Sequence, residues 1–342
     1  MASAAILGTG LIGASVGVAL RGAGWKVAGW DPDPKVAARA LAMEAFERSF
    51  DSMEAAIEGV DLVVLAGPVR AILATLESIE TGALVTDVAG VKGPVVAAAA
   101  RTGLRFVGGH PMAGRETSGP EGASGSMFRG ASWVICPDGA SDDDLGSLAA
   151  IVESLGASPV LMSAAEHDRA VAAASHLPQV TAGALVELVG EDAAALGLAA
   201  GGFRDLTRIA MSDPSWWVDV LIENRAEVGP ALRRLADRLV GLASEVENQL
   251  RPSVEDRMSN ARAIRRSMAA PVETVSIVLE DRPGQMAKVG HSLSESNVDL
   301  RDLQLRHAVH GGGGVLTLSV RTGEADKLRL ALRSDGFQLL GD

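Results

Sequence analysis

Short apolar runs alternate with longer helical stretches through the first half of the chain. The runs Ala4–Leu7, Lys26–Trp30, Asp61–Leu65, Ala83–Asp87, Arg105–Val107, Trp133–Cys136 and Pro159–Met162 have the length and chemistry of strands. Between them, Leu11–Arg21, Val69–Ile79 and Leu145–Leu155 are rich in Ala and Leu and predict helices. Such alternation predicts an α/β domain over residues 1–163, built on a mostly parallel, doubly wound sheet of the Rossmann type. From Ala164 the strand pattern stops. Ala164–Val189, Asp192–Met211, Pro214–Arg225 and Pro230–Leu250 predict helices, and Asp213 before Pro214 is a start signal, because proline at the first helical position has no amide to satisfy. The Arg-rich segment Arg251–Ala270 reads as a helical or extended linker, so an all-helical domain is expected over 164–268.

The pattern changes again near residue 272. Glu273–Leu279 has β-branched strand chemistry, Asp281-Arg282-Pro283-Gly284 turns the chain, and Gln285–Ser296 predicts a helix. Val298–Val309 and Gly314–Thr322 predict two strands, followed by a helix over Glu324–Arg333 and a closing strand over Phe337–Leu340. The order βαββαβ describes a small ferredoxin-like α+β domain over 272–342.

Composition narrows the class. At 342 residues the chain is long enough for two or three domains, and 47% hydrophobic with 22% charged residues suits a globular protein. A net charge of −12 argues against nucleic acid and anionic membranes as partners, both of which reward basic patches. An anionic substrate must then be held by a local cation. The one cysteine, Cys136, allows no internal disulfide and points to a reducing compartment. The apolar segment Ala4–Leu20 is preceded by no Lys or Arg and is broken by glycines, which is unlike a signal peptide. A cytoplasmic enzyme without a membrane span is the expectation.

Gly8-Thr9-Gly10-Leu11-Ile12-Gly13 follows the first strand and opens the first helix. Gly8 permits the tight turn, Gly10 lets a pyrophosphate approach the backbone, and Gly13 lets the helix pack close to the strand. Amides of the helix start, at Leu11 and Ile12, face the anion. Asp31 ends the next strand about twenty residues on, where a carboxylate accepts from both ribose hydroxyls and repels a 2′-phosphate. The cofactor expected is therefore NAD.

His110 follows the fifth strand, near the carboxyl edge of the sheet where a nicotinamide ends up. Oxidising a carbinol requires an acceptor for the hydroxyl proton, and a neutral imidazole suits that role. The segments Thr86-Asp87-Val88-Ala89-Gly90-Val91-Lys92-Gly93, Gly108-Gly109-His110-Pro111-Met112-Ala113-Gly114, Ser175-His176-Leu177-Pro178 and Gly202–Ala210 closely resemble signatures of prephenate and arogenate dehydrogenases. The likeness runs from about Ala4 to Leu250, and the C-terminal module resembles an ACT domain.

The resemblance implies NAD-dependent oxidative decarboxylation of prephenate to 4-hydroxyphenylpyruvate in tyrosine biosynthesis, or the arogenate reaction giving tyrosine directly. It makes His110 the catalytic histidine and Arg208 the residue that grips a substrate carboxylate, its planar fork matching the two oxygens. Asp205 orients Arg208 or merely pairs with it along the helix. Glu116 either gates the pocket mouth or is a solvated loop carboxylate. Trp217 either reaches into a neighbouring subunit's site or packs in the core beside Trp216. His176 either binds substrate or caps a kinked helix, and Lys92 either contacts cofactor or substrate or is a loop cation. Asp87 belongs to the cofactor-side motif, and Gln179 follows Ser175–Pro178 where substrate is expected. Many relatives carry a serine where this chain has Gly90, which removes one donor and opens space at the substrate's C4, for a water or for a C4-substituted analogue of prephenate.

For the last domain the resemblance implies an amino-acid effector, tyrosine, held by Asp281, Arg282, Pro283, Gly284 and Asn297, the alternative being a purely dimerising module. Leu- and Ala-rich helices over Asp192–Leu250 predict a homodimer. No metal site is expected, since His307 and His310 would point to opposite faces of a strand. A β-hydroxyacid dehydrogenase would use a lysine in the helical domain, and none occurs between Ala164 and Leu250. A non-catalytic sensor of NAD and amino acids is the reading from another class, and the intact His110 and Arg208 speak against it.

Overall fold

Near-continuous apolar runs such as Leu62–Leu65 need cover on both faces of a sheet. The computed structural model, which describes residues 1–114, 119–268, 272–307 and 313–340, places them there. Eight strands, β1 (Ser3–Leu7), β2 (Lys26–Trp30), β3 (Arg48–Ser49), β4 (Leu62–Leu65), β5 (Leu84–Asp87), β6 (Phe106–Pro111), β7 (Ser132–Cys136) and β8 (Ser158–Leu161), form one sheet. Its order is β3-β2-β1-β4-β5-β6-β7-β8, and only the β6–β7 pairing is antiparallel. Successive side chains alternate between the two faces: Ala4 and Ile6 join one core with Leu20, Phe128 and Trp133, while Ala5 and Leu7 join another with Ile72, Leu76 and Val95. Chain direction across the sheet reverses between β1 and β4, which opens a crevice at the carboxyl ends of the strands.

The helical segment departs from expectation within Asp192–Met211 and at Pro230. Asp192–Met211 is not one helix but Ala193–Gly197, Gly201–Thr207 and a 3-10 turn Arg208–Met211, broken where glycines 197, 201 and 202 weaken helical continuity. The helix expected from Pro230 starts at Arg225 and carries Pro230 inside it, running to Glu247. Amides of Glu227 and Val228 close its first turn on the Asn224 carbonyl. The linker, expected as helical or extended, is a helix, Arg251–Ser267. Asp213 caps the helix Pro214–Glu223 by accepting from the Ser215 amide at 2.9 Å.

Four strands, β9 (Val272–Leu279), β10 (Leu300–His307), β11 (Gly314–Arg321) and β12 (Leu339–Leu340), make a second, antiparallel sheet of order β10-β11-β9-β12. Helices Gln285–Ser296 and Ala325–Ser334 complete the βαββαβ order, with Val275, Ile277, Leu316, Leu318, Val289, Leu328 and Leu332 in the core between them. Strand β10 starts at Leu300, two residues later than expected, because Asn297 ends the helix in a left-handed conformation (φ 47°). The chain divides into two compact units, Met1–Arg238 and Leu239–Asp342. No helix among the described residues is long and apolar enough to cross a membrane.

Candidate active site

The turn after β1 is built for an anion. Gly8 has φ +96°, and a Cβ at Gly13 would lie 1.9 Å from the Gly8 carbonyl oxygen, so the helix Leu11–Gly22 packs against the strand only because residue 13 has no side chain. Open space surrounds the Cβ position of Gly10, and no side chain caps the helix it starts. The first-turn amides are therefore left for a ligand. At the end of β2, Asp31 accepts from the Thr9 amide at 2.7 Å, its hydroxyl at 3.2 Å and the Asp33 amide at 3.0 Å, which fixes the carboxylate beside the turn. These features fit a dinucleotide whose ribose bears free hydroxyls.

Beside this turn lies a cavity of about 640 Å³ at the carboxyl ends of β1, β4, β5 and β6. Leu11, Ile12, Gly67, Ala89, Gly90 and His110 line it from the sheet side, and Ser175, Gln179, Ile209, Asp213, Trp216 and Trp217 from the helices. His110 is the fifth residue of β6 rather than a loop residue after it, since the strand continues through its pairing with β7 to Pro111. A strand is a stiffer mount than a loop, and the half-buried ring is held at one nitrogen. Its Nδ1 lies 2.8 Å from Nε2 of His167, whose Nδ1 lies 2.8 Å from Oδ1 of Asp168. On the other side, a Cβ placed on Gly90 would sit 3.8 Å from His110 Nε2 and 3.9 Å from Trp216. Burial, reinforced by His167, Lys92 and His176 nearby, holds His110 well below the ordinary imidazole range, so the ring is neutral at pH 7.

Several expected site residues lie elsewhere. Lys92 and Asp87 do not face the cavity: both are fully buried and paired with each other beneath it. Lys92 also donates to the Gly109 carbonyl at 2.8 Å, while Asp87 accepts from the amides of Ala89 at 2.9 Å and Gly109 at 3.1 Å. A charge this deep is tolerated only with a partner, so each completes the other instead of reaching cofactor or substrate. His176 is buried behind the wall, its Nδ1 3.2 Å from the side-chain Nδ2 of Asn224, at the end of a π-helical turn (Ala172–His176) that joins Ala164–Val171 to Leu177–Gly190. Its ring meets Trp217 edge to face.

Trp217 and Trp216 both line this chain's own cavity, and Trp217 also packs on the sheet core, so neither is directed wholly to a neighbour. Gln179 lines the cavity and donates to the Ile209 carbonyl at 3.0 Å. Arg208 and Asp205 are exposed, on the 3-10 turn and on Gly201–Thr207, and the wall takes Ile209 in place of Arg208. Glu116 and His310 lie outside the described residues. Asp281, Arg282, Pro283 and Gly284 are exposed at the start of Gln285–Ser296, and Asn297 at its end, about 18 Å away along a helix of that length. Within one copy they cannot share a ligand.

His167 and Asp168 were not among the expected site residues. The signal was present: the buried stripe of Ala164–Val171 is Ala164, His167, Asp168 and Val171, so two polar side chains occupy positions where helical periodicity calls for apolar ones. Asn224, also buried, donates to the Asp168 carbonyl at 2.9 Å. Cys136 is buried and its thiol is pushed up to about 12 by that burial, which leaves it unreactive near neutrality.

One consequence concerns stability. Burial lowers His176 to about 4 from an ordinary 6.5. Between those values the unfolded chain binds a proton that the folded chain refuses, so stability is complete above pH 6.5 and falls as the pH drops towards 4. The loss amounts to about 3 kcal/mol for this residue. Denaturant midpoints measured from pH 7 to pH 4.5 are expected to fall steeply, and more gently in His176→Gln.

Residues 16–161 match the family described as "Prephenate dehydrogenase, nucleotide-binding domain", and residues 163–260 match "Prephenate dehydrogenase, dimerization domain". The chain is 29% identical to a probable prephenate dehydrogenase, NovF, of Streptomyces niveus, over 97% of this chain and 98% of that protein. It is 30% identical to a cyclohexadienyl dehydrogenase of Zymomonas mobilis, over 72% of this chain and 88% of that protein. Among solved structures, the prephenate dehydrogenase of Aquifex aeolicus in complex with hydroxyphenyl propionate and NAD+ superposes with a TM-score of 0.73 at 28% identity, covering 79% of this chain and 99% of that one.

Proposed function

The chain belongs to the prephenate dehydrogenase family, and from that premise we propose that it converts prephenate to 4-hydroxyphenylpyruvate by NAD-dependent oxidative decarboxylation, a step of tyrosine biosynthesis. The observation that carries the reading is His110, neutral at pH 7, on the wall of the cavity that the dinucleotide turn also bounds. Gly8, Gly10, Gly13 and the amides of Leu11 and Ile12 hold the pyrophosphate, and Asp31 takes the ribose hydroxyls. NAD bound there supplies the hydride acceptor. His110 Nε2 takes the ring hydroxyl proton as the carbinol is oxidised. Loss of the ring carboxylate as CO2 then restores aromaticity, and the same nitrogen returns its proton to the phenolic oxygen. Apolar walls of Leu11, Ile12, Ile209 and Trp216 exclude water from the reacting ring.

Arg208, exposed beside the wall, would grip a substrate carboxylate with Asp205 orienting it; the resemblance of Gly202–Ala210 supports these roles. Absorbance of NADH, formed from prephenate and NAD in the presence of the purified protein, tests the whole reading; no NADH from prephenate or arogenate defeats it. Asp31→Ala is expected to weaken NAD binding by about 10- to 100-fold, the worth of one or two hydrogen bonds to a charged group, measured by isothermal titration.

Two observations favour neighbouring substrates. Asp213, a carboxylate on the cavity wall, would attract the ammonium of arogenate. Its acidity is strengthened by hydrogen bonds from Ser215, which keeps it ionised at neutral pH. The space beside Gly90 would admit a substituent at C4. Turnover of the three acids side by side ranks them.

We further propose a cytoplasmic homodimer, with residues 1–163 binding NAD, 164–268 pairing subunits and 272–342 acting as an ACT domain that binds tyrosine. Exposed apolar side chains such as Leu188, Leu198, Leu206, Val218 and Ile222 support the pairing. The separation of Asp281–Gly284 from Asn297 within one copy supports an effector site shared between two copies. Inhibition by tyrosine, and a mass of two chains in light scattering, are the expected results.

A further inference from the structure

Among the described residues His110 makes one side-chain hydrogen bond, to His167, and that bond belongs to a chain of three groups. Asp168 is an acceptor-only carboxylate, and two backbone donors already engage it: the Lys92 amide on Oδ1 and the Gly93 amide on Oδ2, both at 2.7 Å. His167 Nδ1, 2.8 Å from Oδ1, must therefore be the protonated nitrogen of that ring. In a neutral ring this leaves the Nε2 of His167 as a lone pair, and the 2.8 Å contact with His110 Nδ1 is satisfied only if His110 carries its proton there. Nε2 of His110, on the Gly90 side, is then the free lone pair. A proton acceptor needs that tautomer, and the other would present a donor to the substrate hydroxyl.

We infer that His167 is a positioning residue for this reaction, its own tautomer set by Asp168, and that it locks His110 with the Nε2 lone pair available to the substrate. The inference rests on the reading of His110 as proton acceptor. His167 and Asp168 lie on adjacent positions of one buried helical stripe, whose Ala164 packs against Val134 and Cys136 of β7 and whose Val171 is buried. Asn224, at the end of the helix Pro214–Glu223, donates its side-chain amide to the Asp168 carbonyl. The other charged or titratable groups near the pair are Lys92 and Asp87 beneath it and His176 behind it, and none of the three bonds His110 or His167. His167 stands outside the cavity wall, so its removal does not disturb a substrate contact.

The test uses the full chain, labelled with 15N-histidine, without ligand. The expected spectrum has protonated Nδ1 and unprotonated Nε2 on both His110 and His167 near pH 7. His167→Leu is expected to mix the His110 tautomers and to lower kcat by about 10²-fold with little change in KM. His167→Gln, whose side-chain oxygen can accept from His110 Nδ1, recovers the single tautomer and most of kcat. A proton on His110 Nε2 in the wild type, a cationic His167, or His167→Leu with kcat within about threefold of wild type overturns the inference. Should His167→Leu not fold, the wild-type spectrum decides alone. Absence of wild-type turnover would count against the proposed reaction and leave the spectrum to judge the tautomer separately.

Discussion

His110→Ala is expected to lower kcat for NADH formation by about 10² to 10⁴-fold, the usual worth of a positioned general base. The ring hydroxyl would then have only water as proton acceptor, in a cavity whose described walls hold no other imidazole. NAD affinity should stay within about twofold, because the dinucleotide turn and Asp31 touch neither His110 nor its partners. The measurement is steady-state turnover beside calorimetric titration of NAD. A fall in kcat of less than tenfold would remove His110 from the chemistry. In the wild type, the burial that depresses His110 also sets the pH dependence: the ring stays neutral through the ordinary imidazole range, so activity persists below pH 6.5 and fails only further into acid. Instability from His176 sets in over part of the same range, so initial rates must be taken before unfolding.

The second large effect is one of stability. Lys92→Met is expected to cost about 3–5 kcal/mol, since it strands the fully buried Asp87 carboxylate without its cation. Asp87 would keep only the amides of Ala89 and Gly109, and the Gly109 carbonyl would lose its donor. That carbonyl and amide belong to the residue before His110, so kcat should fall along with the denaturant midpoint. The double variant Asp87→Asn with Lys92→Met removes both charges and should regain much of the lost stability. Urea unfolding of the three variants checks this, and a single-variant loss under about 1 kcal/mol would contradict the pairing.

The His110–His167–Asp168 network and the Lys92–Asp87 pair meet in one segment. Asp168 takes its hydrogen bonds from the amides of Lys92 and Gly93, while the Lys92 side chain turns the other way to Asp87 and Gly109. One short segment after β5 thus fixes both the carboxylate that orients His167 and the backbone that carries His110. This explains why a lysine in a cofactor-side motif is buried rather than turned to the ligand.

Local pattern was enough to locate most of the architecture. Strand-length apolar runs, helix starts such as Asp213-Pro214 and the Gly8–Gly13 turn are encoded within a few residues of themselves, and the structure places them as read, within a residue or two at most boundaries. The positions of Asp31 and His110 at the carboxyl edge of the sheet follow from strand order alone. What periodicity could not decide is where a polar side chain is spent. Lys92 reads as a cofactor or substrate contact or a loop cation, and Asp87 as part of a cofactor-side motif; only the fold brings them 0% exposed against each other. His167 is fifty-seven residues from His110 in sequence and 2.8 Å away in space. Arg208 is expected from the resemblance to grip a substrate carboxylate, yet the glycine-broken helix leaves it exposed beside the wall. Such pairings depend on contacts between segments distant in sequence, and their energy comes from excluding water at a place that exists only once the chain has closed around it.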